Sequence, residues 1–293
     1  MSNLQGDWLA LDTSTAALTI ALMRDGQVIA ERSTEAERNH SLRLLPDVQE
    51  LLSAHGRKAA DLSGIAVGHG PGSYTGIRVA VTAAKTLAWS LKLPLIGISS
   101  LEALAYGAAM RAVGGVANEG EAAHAAVAAD ATVVDVGVSD AGRVWVVPYM
   151  DARRGKAYTA LYEWSQGVWR VVETDGIRML DSWLDEVREL AREQHAYTGE
   201  LARTGELVEL IGNPVTRLIV AGEPAPFQEL LGAGSDAQGN SAEIMLLDRE
   251  PLQARYIGLL ADRYGLDRAT TDAHGFVPNY TQLSEPERIW QSK

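Results

Sequence analysis

From residue 7 to about residue 110 the chain alternates short apolar runs with segments of helical spacing, and that rhythm leaves few folds open to it. "WLALDTS" and "LTIALMRDGQVIAERS" read as strands, with the "DG" of "RDGQ" as a hairpin turn inside the second run. In "RNHSLRLLPDVQELLSAHG", Leu42, Leu45, Val48 (or Gln49) and Leu52 follow helical spacing, Asn39 suits the N-cap and Gly56 the C-cap. Pro46 marks the first turns of that helix or a mild kink. "GIAVGHG" is a short buried strand, Tyr74 to Leu91 a second helix, "PLIGISS" a strand and "SLEALAYGAAM" a third helix. Strands and helices resume with "RVWVVPYMDARRGKAYTALYEWSQGVWRVVET", whose turns fall at "ARRG" and "SQG". The helix "SWLDEVRELAREQ", the strand "RLIVAG" and the late helix "LQARYIGLLADRYG" follow. The pattern predicts an α/β protein whose sheet mixes hairpin and parallel pairing. Residues 113–142 are rich in Ala and Gly and read as an insertion or loop, as does 232–245.

Composition removes several chemistries. With no cysteine there is no disulfide, no thiolate nucleophile and no Cys-based zinc site. The six histidines, His40, His55, His69, His124, His195 and His274, are scattered, with no H-x-x-x-H or H-E-x-x-H spacing, so no metal site is expected. A nucleophile elbow G-x-S-x-G is also missing. Lys plus Arg number 26 against 38 Asp plus Glu, a net charge of −12. Phosphate-backbone binding rests on Lys and Arg, so the isolated chain should hold nucleic acid poorly and need a partner for it. No apolar run is long enough to span a membrane, and "MSNLQGDWLALDTS" does not read as a signal peptide, so a cytoplasmic protein is expected.

Two stretches bear on nucleotide chemistry. "GHGPGSYTG" puts a glycine-rich joint before a helix, the arrangement that cradles phosphate on free N–H groups. Yet neither G-x-x-x-x-G-K-[ST] nor G-x-G-x-x-G can be aligned on Gly68, Gly70, Gly72 and Gly76. A tight strand-to-helix joint that needs glycine explains it equally. In "ALDTSTAALTIAL", an acidic residue ends one strand and hydroxyls lead into the next, which resembles the first phosphate loop of actin-like and sugar-kinase-like ATPases. Asp12, Thr13, Ser14 and Thr15 are the candidate phosphate-loop residues, against the alternative of a turn that satisfies its own backbone.

The helix after the glycine joint has two usable sides. Ile77, Val81, Ala84, Ala88 and Leu91 make a core stripe, while Arg78, Thr82, Lys85 and Trp89 make another, with small residues allowing close approach. Such a helix can lie between its own sheet and a partner, with Trp89 as an anchor.

Together "LALDTSTAALTIAL", "HSLRLLPDVQELL", "GHGPGSYTGIRVAVTAAKTLAWSLKLPLIGISSLEALA" and "MDARRGKAYTALYE" resemble the bacterial TsaB (YeaZ) family. The resemblance is specific over 8–105 and 148–163 and faint near "VPNYTQLSEPER". It implies an actin-like ATPase fold of two α/β subdomains with mixed sheets. The first would span 1–105, closed by a C-terminal helix about 265–293; the second would be a reduced copy over 106–264, with insertions near 107–142 and 232–245. It further implies a scaffold without catalytic residues that pairs with TsaD, together with TsaE, for threonylcarbamoylation of the adenosine beside the anticodon in ANN-decoding tRNAs. On that reading the chain reaches tRNA only through the complex and could pair with a second copy when alone. It would have no cofactor of its own, any ATP or ADP lying at the partner interface, and Asp12→Ala should change little. The partner face would comprise Leu42, Leu45 and Gln49 on the earlier helix with Arg78, Thr82, Lys85 and Trp89 on the later one, in a four-helix bundle. Against the catalytic relative that the resemblance implies, "SSLEALAYG" lacks the two metal-binding histidines, and of three nucleotide elements only the first survives: "PYMDARRGKAY" has a single glycine and "EPAPFQ" prolines where glycines would stand. The rival readings are a stand-alone actin-fold phosphotransferase of sugar- or acetate-kinase type and, with less support, a glycoprotease-type metallopeptidase.

Overall fold

The computed structural model describes residues 3–35, 39–114, 142–204, 214–223, 227–232, 243–248 and 251–281. Among these, the first of two compact units takes the residues up to 103 and those from 252, and the second takes 104–251. The first begins with β1 (Asp7–Asp12), β2 (Ala17–Arg24) and β3 (Gln27–Glu35), joined antiparallel, with Asp25 and Gly26 at φ 48° and 76° forming the expected turn. Helix α1 (His40–Ala54) leads to β4 (Leu62–Gly68), α2 (Tyr74–Leu91) leads to β5 (Leu95–Ile98), and α3 (Ser100–Gly114) follows. The sheet order is β3-β2-β1-β4-β5, with β1, β4 and β5 parallel.

The second unit repeats this plan. β6 (Arg143–Asp151), β7 (Lys156–Ser165) and β8 (Val168–Met179) are antiparallel neighbours. Then come α4 (Leu180–Thr204), β9 (Val215–Gly222), α5 (Gln228–Gly232) and β10 (Glu243–Asp248), after which α6 (Ala254–Tyr264) belongs to the first unit. The order β10-β9-β6-β7-β8, with β6, β9 and β10 parallel, matches the first sheet strand for strand. This duplicated, mixed-sheet α/β architecture is the actin-like fold that the sequence implied.

Strand alternation decides what each face of the first sheet carries. Leu9, Leu11, Leu18, Ile20, Leu22, Ile65 and Val67 form one core with Leu44, Val48, Leu51 and Leu52 of α1 and Ile77, Ala80, Val81, Ala84 and Ala88 of α2. Burying each large aliphatic side chain there contributes about 1.5–3 kcal/mol. The alternate positions are small at Ala10, Ala21, Gly64, Ala66 and Gly68, beside the larger Trp8, Thr19 and Met23. That face takes α6, whose Gly258 lies so close to Met23 that an added Cβ would sit 2.6 Å from its sulfur. The Ala254 N–H donates to Thr19 Oγ1 at 2.9 Å, and Arg255 pairs with Glu31 at 2.5 Å.

Four expectations about segments need correction. The helix that returns to the first unit is α6, ended by Gly265 at φ 67°, and not a helix over 265–293. Within 265–281 only a 3-10 turn, Leu266–Arg268, is helical, and 282–293 lie outside the described residues. The insertion expected at 107–142 begins later, because α3 runs to Gly114; 115–141 are outside the described residues. β10 occupies the end of the expected 232–245 loop, where "EIMLLD" lines up parallel to β9. Asn39 precedes α1 as expected, but its side chain makes no capping bond.

Candidate functional site

The hydroxyl loop after β1 is filled by its own chain. Asp12, Thr13 and Ser14 are buried, and only Thr15 of the four candidates is partly open. Asp12 Oδ1 accepts from both the N–H and the Oγ of Ser14, each at 2.6 Å, and Oδ2 accepts from Ser100 Oγ at 2.6 Å. Burial pushes the Asp12 carboxyl above its ordinary pKa, while the bonds from Ser100 and Ser14 work the other way. Ser100 Oγ also accepts from Gly70 N–H at 3.1 Å, tying the start of α3 to the glycine joint. Thr13 reaches the other way, into α2. Its Oγ1 donates to Gly76 C=O at 2.6 Å and accepts from Ala80 N–H at 3.1 Å, so the hydroxyl sits within a helical i, i+4 pair.

The glycines of the joint are explained by these same contacts. A Cβ at Gly68 would lie 1.7 Å from Asp12 Oδ2, one at Gly72 2.5 Å from Ser14 O, and one at Gly76 1.9 Å from Thr13 O. At Gly70 it would meet Ile77 Cδ1 at 2.8 Å. Ser73 N–H donates to Ser14 O at 2.7 Å, and Ser73 Oγ caps α2 by accepting from Gly76 N–H at 3.3 Å. Of the two readings open in the sequence, the tight joint is the one the geometry supports. The Asp12 carboxyl and the Thr13 and Ser14 hydroxyls are all taken up by protein partners. Asp12, Thr13 and Ser14 therefore do not fit a bound phosphate group. Asp12→Ala, expected from sequence to change little, should instead lower stability by about 2 kcal/mol, since it leaves buried donors on Ser14 and Ser100 unpaired. Thermal unfolding of the variant checks this.

The counterparts of the two other nucleotide elements lie at the end of β9 and at the tip between β6 and β7. An added Cβ at Gly222, the end of β9, would lie 2.3 Å from Tyr149 O. The Tyr149 ring there meets Phe227 edge to face at 5.7 Å. Helix α5 beyond it has 5 residues, where its counterpart α2 has 18. The tip between β6 and β7 holds Arg153 and Arg154 with Gly155. No group of three or more His, Asp or Glu able to hold a metal occurs among the described residues.

The surface candidates lie on α1 and α2, which pack against each other. Leu42 is 73% and Leu45 53% exposed, and Gln49 is exposed beside them, while Leu44, Val48 and Leu51 face the sheet. On α2, Arg78 and Thr82 are exposed and Trp89 is 63% exposed. Lys85 is partly occupied: its Nζ donates to His274 O at 3.0 Å and Phe276 O at 2.6 Å. Residues 270–281 run along α2 as a strap, with Trp89 against His274 at 5.7 Å and Tyr74 against Tyr280 at 5.2 Å. Asn279 N–H donates to His69 O at 2.7 Å, and the His69 ring meets Phe276 at 6.0 Å. Burial lowers the pKa of His69, which favours the neutral ring. The sequence reading missed Tyr74, Val277 and Tyr280 on this surface. The faint likeness at "VPNYTQLSEPER" was the signal available for the last two.

Comparison with known proteins gives this arrangement a family. A profile described as "TsaD: tRNA N6-adenosine threonylcarbamoyltransferase" matches residues 27–129. The crystallised YeaZ from Pseudomonas aeruginosa superposes with a TM-score of 0.59 at 22% identity, over 94% of this chain and 100% of that one, which shows the shared fold. The tRNA threonylcarbamoyladenosine biosynthesis protein TsaB of Escherichia coli is 33% identical over 58% of this chain and 61% of its own. Its Bacillus subtilis namesake is 32% identical over 96% of each chain. With that identity running along almost its whole length, the chain belongs to the TsaB family.

Proposed function

We propose that this protein is a non-catalytic activating subunit for tRNA threonylcarbamoylation, working by pairing with a TsaD-type transferase and with TsaE. The names of its relatives support the pathway. The observation that carries the non-catalytic part is the filled loop: Asp12, Thr13 and Ser14 are buried and bonded to Ser14, Ser100, Gly76 and Ala80. Groups committed to the fold cannot also orient a metal-bound water or receive phosphate oxygens. The exposed row of Leu42, Leu45, Trp89 and Tyr74 supports a partner role, since large apolar side chains gathered on adjoining helices are costly to leave in water. A second copy could occupy the same face in the absence of the transferase. ATP or ADP, where the complex holds it, would then be gripped mainly by the partner.

The rival phosphotransferase reading separates from this one by a direct test. The isolated chain is expected to bind Mg-ATP weakly or not at all and to release no phosphate from it, whereas adding it to TsaD should raise tRNA modification. Calorimetry showing low-micromolar binding with steady hydrolysis by the chain alone would overturn the scaffold reading. No helix among the described residues is long and apolar enough to cross a membrane.

A further inference from the structure

The hairpin tip between β6 and β7 is built at odds with its sequence. Its loop closes with Ala152 N–H donating to Lys156 O at 2.9 Å and Lys156 N–H to Arg153 O at 3.2 Å. Asp151 Oδ1 accepts from Arg153 N–H at 2.7 Å and so shapes the entry. Arg153, Arg154 and Gly155 take φ 70°, 57° and 74°, three left-handed residues in a row. Tight hairpin turns of this hand favour Asn, Asp or Gly, because a Cβ is strained there. This chain instead places two arginines in succession and follows the glycine with Lys156.

Those side chains do nothing visible for the fold. Arg153, Arg154 and Lys156 are all exposed. Arg153 makes one solvent-washed pair with Asp151 at 3.3 Å. Among the described residues, Arg154 and Lys156 have no carboxylate partner. Elsewhere in this unit arginine is spent on ion pairs: Arg143, Arg170, Arg178, Arg188 and Arg192 each face a carboxylate. A chain of net charge −12 that sets two arginines on left-handed backbone beside an exposed lysine is presenting three cations outward.

We infer that this tip contacts the phosphate backbone of the tRNA when the chain acts within its complex. The inference rests on the proposed function for its substrate. Guanidinium and ammonium groups suit phosphate oxygens, and a tip without aromatic side chains offers charge and not base stacking. Three cations are too few to hold RNA on an acidic protein alone, so the contact should be felt only beside a partner that supplies the main basic surface.

The test is tRNA binding and modification by the reconstituted complex with TsaD across a salt series. Variants are the triple Arg153→Gln/Arg154→Gln/Lys156→Gln, the single Arg154→Gly, which suits the left-handed turn, and Arg154→Lys, which keeps the charge. The triple variant should lower the slope of log affinity against log salt by about 2, since each phosphate contact contributes roughly 0.7–0.9. The KM for tRNA should rise about tenfold with kcat unchanged, and Mg-ATP affinity of the complex should not move. Arg154→Gly should show part of that loss while unfolding no earlier than the parent, and Arg154→Lys should keep the slope. An unchanged slope and KM in the triple variant, with wild type active, overturns this inference alone. Loss of nucleotide affinity with an intact tRNA slope also overturns it, assigning the tip to nucleotide phosphates. Wild-type chain that neither joins TsaD nor promotes modification overturns the proposed function together with this contact.

Discussion

A Gly76→Ala variant should lose about 3 kcal/mol of stability or more. The added Cβ would lie 1.9 Å from the Thr13 carbonyl oxygen and 3.1 Å from its carbonyl carbon. Both are backbone atoms of a buried loop, so no rotamer change relieves the clash. Moving α2 away would pull Gly76 C=O and Ala80 N–H off the Thr13 hydroxyl that bridges them. It would also stretch the 2.7 Å bond from Ser73 N–H to Ser14 O. The natural control is Gly56, at φ 66° with nothing within 4 Å of an added Cβ. Alanine there should cost only the left-handed conformation, about 1 kcal/mol. Urea denaturation of the two variants gives the comparison. Equal midpoints would mean that the glycine joint is not set by packing against the Asp12–Ser14 loop.

Leu45→Glu should weaken association with a TsaD-type transferase by roughly 100-fold, about 3 kcal/mol, with the monomer's fold unchanged. Leu45 is 53% exposed and turned away from the sheet, so a carboxylate there is solvated in the free chain. In a helix-to-helix contact it would be buried without a partner, and the cost arises only on binding. Trp89→Ala should cost about 2 kcal/mol, nearer 30-fold, as a lost anchor. A charge at Ala83 is a poorer probe, because Ala83 packs partly against the core and the monomer would feel it. Lys85 is poor for another reason: its removal frees the strap at His274 and Phe276. Circular dichroism and co-purification check both variants. Unchanged co-purification of Leu45→Glu would remove α1 from the interface.

Much of the first unit was legible because its signals are local. The hairpin at Asp25–Gly26, the presence of α1 and the limits of α2 all follow from periodicity and turn chemistry, whereas two leucine rows of α1 compete for the sheet and only packing selects Leu44, Val48 and Leu51. The residue types at Asp12 to Thr15 were also visible, and their meaning was not. Whether Asp12 faces a ligand or Ser100 depends on a contact 88 residues away, and Thr13 finds its partner in α2, 63 residues on. No pattern within "DTST" encodes such distances. β10 escaped notice because a six-residue run bounded by Ala, Gly and Asp resembles the end of a loop until it finds β9. The destination of "LQARYIGLLADRYG" was hidden likewise: its amphipathic pattern shows a buried face without naming the sheet that buries it.

That destination constrains how the protein is made. The face of the first sheet formed by Ala10, Ala21, Gly64, Ala66 and Gly68 is covered by residues 254–264. Five strands' worth of the first unit therefore leaves the ribosome long before the helix that finishes it. During synthesis of the intervening residues this small-residue face has no native cover, and any element that shields it must later give way to α6. A chain stopped near residue 103 should be a collapsed fragment rather than a miniature of the whole. Dissection of this protein into halves succeeds only if residues 252–264 are returned to the first one, by permutation or as an added peptide.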